Sequence, residues 1–331
     1  MSTPRTVPSV SAIHVVIIGW LLALLAAAVA VPSEPPGASS GRAPARTVGA
    51  TATTPPADVD AAPDVAQPAP HQLPGGGMHV FGGNRFLVAY YGVAGTGALG
   101  VLGQAPPDRM WPRLVRAARA FAGRHRPVQP VFELIVDVAS AGPGRDRDYS
   151  NPVPRADVTR YIRAAHRLGA LVLLDIQPGR SSFLRLAKRW RWALRDPWVG
   201  LAIDPEWRMG PHQVPGRVIG HVRAAEINRV SAWLDRLTAR ERLPQKLFVV
   251  HQFRTMMVQA PHRVRARPHL AMVQHVDGFG TPGEKLATYR AVARPHQYVE
   301  GFKLFYRADT RMMSARRVLH VRPRVRFVSY Q

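Results

Sequence analysis

Two acidic residues, Asp204 and Glu206, stand one residue apart at the end of an apolar run at 199–206, VGLAIDPE. If this run is a β-strand, residues two apart project from the same face, so both carboxyl groups point the same way. Like charges held close together raise the pKa of one of them and leave a protonated acid beside an ionised carboxylate. Hydrolysis of a glycosidic bond uses such a pair, so the spacing predicts a carbohydrate-active site with Glu206 as general acid and Asp204 as its partner.

The same eight residues resemble the fourth-strand signature of chitinase-type glycoside hydrolases, D-G-x-D-x-D-x-E, through Gly200, Asp204 and Glu206. Muramidase-type barrels carry a similar D-x-E ending on an equivalent strand. The resemblance implies that Glu206 protonates the glycosidic oxygen, that Asp204 supports the reacting group, and that an N-acetyl group of the substrate is the nucleophile. Val199 and Ala202 replace the first two aspartates of the signature. A non-catalytic glycan-binding or envelope-structural protein is therefore the alternative.

Polar and aromatic residues also end the other predicted strands. In barrels of alternating strands and helices the active site forms at these C-terminal ends. Asp175 shares the inward parity of the acidic pair and is a third catalytic candidate. The candidate binding residues for a polysaccharide or peptidoglycan-type substrate are Tyr90, Tyr91, Asp137, Gln177, Trp207, His251, Gln252, Gln274, His275, Asp277, Tyr306 and Tyr330.

Metal chemistry is a further alternative at the C-terminal ends of the predicted strands. His251, His275 and Asp277, with Asp175 and Asp204, offer the ligands of a metal-dependent hydrolase. No H-x-H or H-E-x-x-H spacing supports a metal centre, so we predict hydrogen-bonded histidines, no metal and no cofactor. The chain contains no cysteine, which excludes a cysteine nucleophile, and it has no G-x-S-x-G motif, which disfavours a serine hydrolase.

Eight short apolar runs must position these residues. We predict strands at 85–91, 131–137, 170–177, 199–206, 246–251, 269–275, 301–306 and 325–330. We predict helices at 108–123, 154–168, 182–194, 215–240, 284–293 and 312–319, and an irregular connection at 252–268. Near-continuous apolar strands joined by crossovers indicate a parallel sheet with both faces covered, and eight such strands close a barrel. The predicted fold is therefore α/β, a (β/α)8 TIM-type barrel over residues 78–331.

Two charged residues, Glu133 and Lys303, interrupt the apolar pattern of the second and seventh predicted strands. An unpaired charge inside a barrel is costly. The sequence therefore predicts that these two side chains pair with each other.

The N-terminal 77 residues differ from the rest of the chain. The apolar run at 15–31 ends in Ala28-Val29-Ala30, a small-x-small cleavage pattern, so residues 1–31 are predicted to be a signal peptide or a membrane anchor. Residues 32–77 are rich in Pro, Ala and Gly and are predicted to form a disordered linker. We therefore expect a secreted or membrane-anchored, extracytoplasmic protein that contacts the membrane through its N-terminal segment.

The formal charge of +24 has two interpretations. The abundance of Arg, Ala, Pro and Gly is typical of GC-rich coding, which would make the charge incidental. The functional alternative is attraction to a polyanion, which for an exported protein would be an anionic cell-wall polymer or anionic lipid. No basic stretch interleaved with aromatics and no nucleic-acid-binding motif is present, so no nucleic-acid partner is predicted.

Overall fold

The structure is a computed structural model that describes residues 72–331. The predicted signal peptide or anchor at 1–31 and most of the predicted linker lie outside these residues. None of the helices in residues 72–331 combines the length and the apolar composition that a membrane span requires. Residues 72–77 lie against the folded domain: Leu73 is buried, and Trp198 Nε1 donates a hydrogen bond to the carbonyl of Gln72 at 2.8 Å.

Eight parallel strands form a closed barrel. They are β1 (Phe86–Gly92), β2 (Val128–Ala139), β3 (Leu171–Ile176), β4 (Val199–Ile203), β5 (Lys246–Gln252), β6 (Leu270–Val276), β7 (Val299–Leu304) and β8 (Val325–Tyr330). Each strand pairs in parallel with the next, and β1 pairs with both β2 and β8, which closes the sheet. The predicted α/β class, the eight strands and the TIM-type barrel are confirmed.

Helices cover the outside of the barrel. They are α1 (Pro107–Arg119), α2 (Arg155–Leu168), α3 (Phe183–Arg189), α4 (Arg191–Leu194), α5 (Ala224–Arg240), α6 (Pro282–Val292) and α7 (Ala315–Leu319). Pro107 starts α1, where a missing N–H costs nothing, and a capping box between Thr281 and Glu284 starts α6. The predicted helix at 182–194 is divided in two at Trp190. The fifth connection contains only 3₁₀ turns and a short strand, as its irregular sequence predicted.

Strand β4 is shorter than the sequence predicted, because it ends at Ile203 and not at 206. Asp204 remains extended and its side chain accepts a hydrogen bond from the backbone N–H of Glu206. Pro205 has no N–H to donate to a neighbouring strand, and Pro205–Trp207 form a 3₁₀ turn. The acidic pair therefore lies on the turn that follows the strand.

Successive side chains of each strand point to opposite faces of the sheet, and this divides the apolar core into two parts. One set of side chains packs between the strands and the helices, among them Val88, Phe132 and Val250. The other set fills the barrel itself, with Leu87, Leu173 and other apolar residues of its lower layers. These packed layers close the lower part of the barrel and leave its C-terminal end for polar side chains.

Candidate active site

Each of the eight barrel strands, or in the case of β4 the turn directly after it, contributes a polar side chain to the C-terminal part of the interior. Taken around the barrel from β1 to β8, they are Tyr91, Glu133, Asp175, Asp204, His251, His275, Lys303 and Ser329. Each of these residues is at most 5 % exposed. The polar side chains lie close together because of the strand register: His251 in β5 is paired directly with His275 in β6. Beside them, β7 presents Gly301, where a Cβ would lie 2.5 Å from His275 Cδ2. Only glycine leaves room for that ring.

Asp277, just beyond β6, holds three cationic or potentially cationic groups together. Its Oδ2 atom lies 2.8 Å from His251 Nδ1 and 3.3 Å from Lys303 Nζ, and its Oδ1 atom lies 2.6 Å from His275 Nδ1. Burial alone would raise the pKa of Asp277, but the charges of Lys303, His251 and His275 hold it well below its usual value. Asp277 is therefore ionised, and each histidine presents an Nδ1 atom to it.

A second set of hydrogen bonds inside the barrel orients the carboxyl group of Asp175. Tyr91 donates its hydroxyl to Asp175 Oδ2 at 2.9 Å, and Gln177 Nε2 donates to the Tyr91 oxygen at 3.2 Å. Lys303 Nζ lies 3.6 Å from the centre of the Tyr91 ring. Burial raises the pKa of Asp175, and the nearby charge of Glu133 raises it further, although His251 opposes both. The chain Gln177–Tyr91–Asp175 therefore fixes the orientation of this carboxyl group.

Asp204 and Glu206 carry the strongest indication of acid chemistry. Burial raises the pKa of Asp204 to about 7, with the charge of Asp175 adding to the effect. Burial also raises the pKa of Glu206 to about 8, with further increases from Asp204 and Asp277. Glu206 is partly exposed, and its carboxyl group forms no hydrogen bond or ion pair within residues 72–331. A carboxylic acid that keeps its proton at pH 7 and reaches solvent can donate that proton to a bound molecule.

The predicted ion pair between Glu133 and Lys303 is wrong. Lys303 pairs with Asp277, and the nearest cationic group to Glu133 is His251, with Nε2 3.2 Å from Glu133 Oε1. Burial alone would raise the pKa of Glu133, but the hydrogen-bonding contact and charge of His251 lower it, with help from His275 and Lys303. The physical reason is that Asp277, in the loop after β6, reaches back over the strand ends and takes Lys303 as its partner.

Several predicted binding residues face the helices and not the barrel interior. Tyr90 donates to the backbone carbonyl of Arg113 in α1, and the Tyr90 ring packs edge-on against Tyr306 and Tyr330. Asp137 accepts hydrogen bonds from Arg189 in α3 and from the indole of Trp190.

Gln252 and Gln274 also face the helices and not the barrel interior. Gln274 donates to Gln252 at 2.7 Å, between strands β5 and β6, and both side chains are buried. Trp207 is only 7 % exposed, so its ring offers little surface for stacking.

Within the predicted set, the residues that the structure brings together are Tyr91, Asp175, Gln177, Asp204, Glu206, His251, His275 and Asp277. Glu133 and Lys303 were not predicted to belong to the site. A charged residue at an inward position of an otherwise apolar strand was the signal that could have identified them.

Comparison with models of known protein families finds no match, and comparison with curated protein sequences finds none either. The barrel architecture by itself does not specify an activity, because this fold supports many different reactions. The function must therefore be argued from the site.

Proposed function

We propose that this protein is an extracytoplasmic glycoside hydrolase that acts on a cell-wall or related N-acetylated glycan. The observation that carries the proposal is the carboxyl group of Glu206, which is unpaired, reaches solvent and keeps its proton at neutral pH. Asp204 lies beside it on the same turn and ionises first. Two carboxyl groups with pKa values set apart by their environment are the requirement for acid-assisted glycoside cleavage.

The proposed reaction assigns a separate role to each acid. Glu206 transfers its proton to the glycosidic oxygen as the bond from that oxygen to the anomeric carbon breaks. The carbonyl oxygen of the substrate's own acetamido group forms a new bond to the anomeric carbon, and ionised Asp204 stabilises the positive charge that develops on that group. The Glu206 carboxylate then takes a proton from water, whose oxygen opens the cyclic intermediate. The acid is regenerated and the anomeric configuration is retained.

A substrate panel tests this proposal directly. The purified full chain is incubated with peptidoglycan, chitin oligosaccharides and unacetylated glucosamine oligosaccharides, and new reducing ends are measured. We expect cleavage of the acetylated polymers only, because the acetamido oxygen is the nucleophile. If none of these polymers is cleaved over the pH range 5 to 9, the enzymatic proposal fails.

The pH dependence of cleavage follows from the two raised pKa values. The reactive form needs Asp204 ionised and Glu206 protonated, and the pKa values are about 7 and about 8. We therefore expect kcat to be highest between pH 7 and 8. It should fall below this interval as Asp204 takes up a proton and above it as Glu206 loses one. A rate that still rises beyond pH 9 would contradict the assignment of Glu206 as the acid.

A second candidate function is non-catalytic binding of an anionic cell-wall polymer. The observation that favours it is a cavity of about 460 Å³ on the helical surface between α3, α4 and α5. Lys188, Arg191, Arg236 and Arg240 line this cavity together with Trp233. Lys188, Arg236 and Arg240 form no ion pair with any acid in residues 72–331. Three unpaired cations around one cavity favour a polyanion.

A charge-matched comparison tests this second function. We expect the full chain to bind poly(glycerol phosphate), and we expect a variant with Lys188, Arg236 and Arg240 all changed to Gln to bind at least tenfold more weakly. The control changes the exposed Arg116, Arg119 and Arg124 to Gln and removes the same net charge from another face. Equal losses of affinity in both variants, measured by titration calorimetry at low and high salt, would show a general charge effect and no specific cavity.

A further inference from the structure

A cavity of about 600 Å³ lies between the connections that follow β6 and β7, at the same end of the barrel as Glu206. It is lined by the start of α6 and, from the connection after β7 and α7 itself, by Arg311, Met312 and Arg317. In this fold the segments at the C-terminal ends of the strands form the substrate-binding surface. A substrate bound at Glu206 can therefore extend over this cavity.

Buried hydrogen bonds join the two connections and fix the walls of the cavity. Lys285 in α6 is fully buried, and its Nζ atom donates to the carbonyl of Gly278 at 2.6 Å and to Asp309 Oδ1 at 2.9 Å. The backbone N–H of Thr310 donates to the carbonyl of Gly280 at 3.1 Å. Because the walls are already formed, little conformational entropy is lost when a ligand binds between them.

The acids of these two connections are engaged elsewhere, whereas two arginines at the cavity are not. Asp277 is bound inside the barrel, Asp309 is paired with a buried lysine, and Glu284 closes the capping box of α6. Arg311 and Arg317 are exposed and form no ion pair with any acid in residues 72–331. A guanidinium group presents paired N–H donors that match a carboxylate, so two of them at one cavity favour an anion of this kind.

The cavity also offers apolar surface beside these charges. Met312 is 41 % exposed and lies directly between Arg311 and the buried Met313 in the chain. A methionine side chain is flexible and packs against small apolar groups of irregular shape. A ligand with methyl groups next to a carboxylate uses both features. The lactyl-peptide substituents of peptidoglycan have this combination, and chitin carries no carboxylate.

We propose that this cavity is a subsite for the carboxylate-bearing peptide substituent of a peptidoglycan strand. The inference rests on the proposed function, because it names the substituent on the same substrate. Arg311 and Arg317 bind the carboxylate through charge-assisted hydrogen bonds, and Met312 contacts the methyl groups. These side chains lie outside the acid pair, so they contribute to binding and take no part in breaking the glycosidic bond.

Kinetics with two substrates test this selectivity. Changing Arg311 and Arg317 together to Gln should raise KM for soluble peptidoglycan strands about tenfold, because hydrogen bonds to a charged group are lost. The kcat for peptidoglycan and the KM for chitin oligosaccharides should not change. The control changes Arg307 and Arg316 to Gln, which removes the same charge from exposed positions outside the cavity, and it should keep the wild-type KM. An equal rise of KM in both variants, or no rise in the first, would overturn the subsite.

A binding measurement separates failure of the subsite from failure of the proposed hydrolysis. The probes are N-acetylmuramyl dipeptide, which has no bond between sugars to cleave, and the same compound with its carboxylate converted to an amide. We expect the wild-type chain to bind the acid about tenfold more tightly, and the variant with Arg311 and Arg317 changed to Gln to lose this difference. This result in a chain that cleaves no glycan would end the hydrolase proposal and keep the subsite. Equal affinity of the wild-type chain for both probes, measured by titration calorimetry, would overturn the subsite whether or not glycans are cleaved.

Discussion

Glu206→Gln is expected to lower kcat for glycan cleavage by about 10³-fold, within the 10²- to 10⁴-fold range that general acids contribute. Glutamine keeps the size of the side chain and removes the proton that Glu206 holds at neutral pH. KM should change little, because the amide can still contact the glycosidic oxygen. Initial rates of reducing-end release by wild type and variant, at pH 7.5, measure the effect.

The stability of this variant separates a chemical role from a structural one. The pKa of Glu206 is raised in the folded protein, so folding takes up a proton and stability is lost as the pH rises toward 8. Glutamine has no proton to lose, and Glu206→Gln should melt at the same temperature as wild type or higher at pH 8. Glu241→Gln makes the same chemical change in an exposed ion pair with Arg195 and should keep full activity. A large fall in melting temperature for Glu206→Gln would show that the residue supports the fold.

The barrel could be predicted because its signal is local and repeated. Each apolar run contains its own hydrophobic pattern, and the runs at 131–137 and 269–275 are correct to within a few residues of β2 and β6. The end of β4 could not be placed as well, because hydrophobicity continues through Ile203 while the geometry of Asp204 and Pro205 ends the strand. A proline after an acidic residue is the feature that marks this boundary.

The site was predictable only where strand parity decides the direction of a side chain. Parity places Asp175 inward, and its contact with Tyr91 confirms that placement. The same rule turns Tyr90 and Gln274 toward the helices, so their position at strand ends was misleading. Asp277 follows a strand and lies in a loop, where parity gives no answer. Its contacts with Lys303 and both histidines depend on how that loop folds back over the barrel.

Asp204→Asn is expected to lower kcat by about 10²-fold and to change the shape of the pH profile. The charge of Asp204 contributes to the raised pKa of Glu206, so its removal should move the alkaline fall in rate to below pH 8. The fall in rate below pH 7 should disappear, because it reports protonation of Asp204 itself.

The turn should survive this change, since the asparagine side-chain oxygen can still accept the backbone N–H of Glu206 that Asp204 Oδ1 accepts at 3.1 Å. Asp204→Ala removes both the charge and this acceptor, and the comparison of the two variants therefore separates electrostatics from positioning. If Asp204 acts only by holding the turn, Asp204→Asn will keep the wild-type pH profile while Asp204→Ala loses activity. If it acts through its charge, both variants will lose rate and both will show the shifted alkaline limb. The second result is the one that the proximity of the Asp204 and Glu206 carboxyl groups requires, because the field of Asp204 on Glu206 does not depend on the hydrogen bond that shapes the turn.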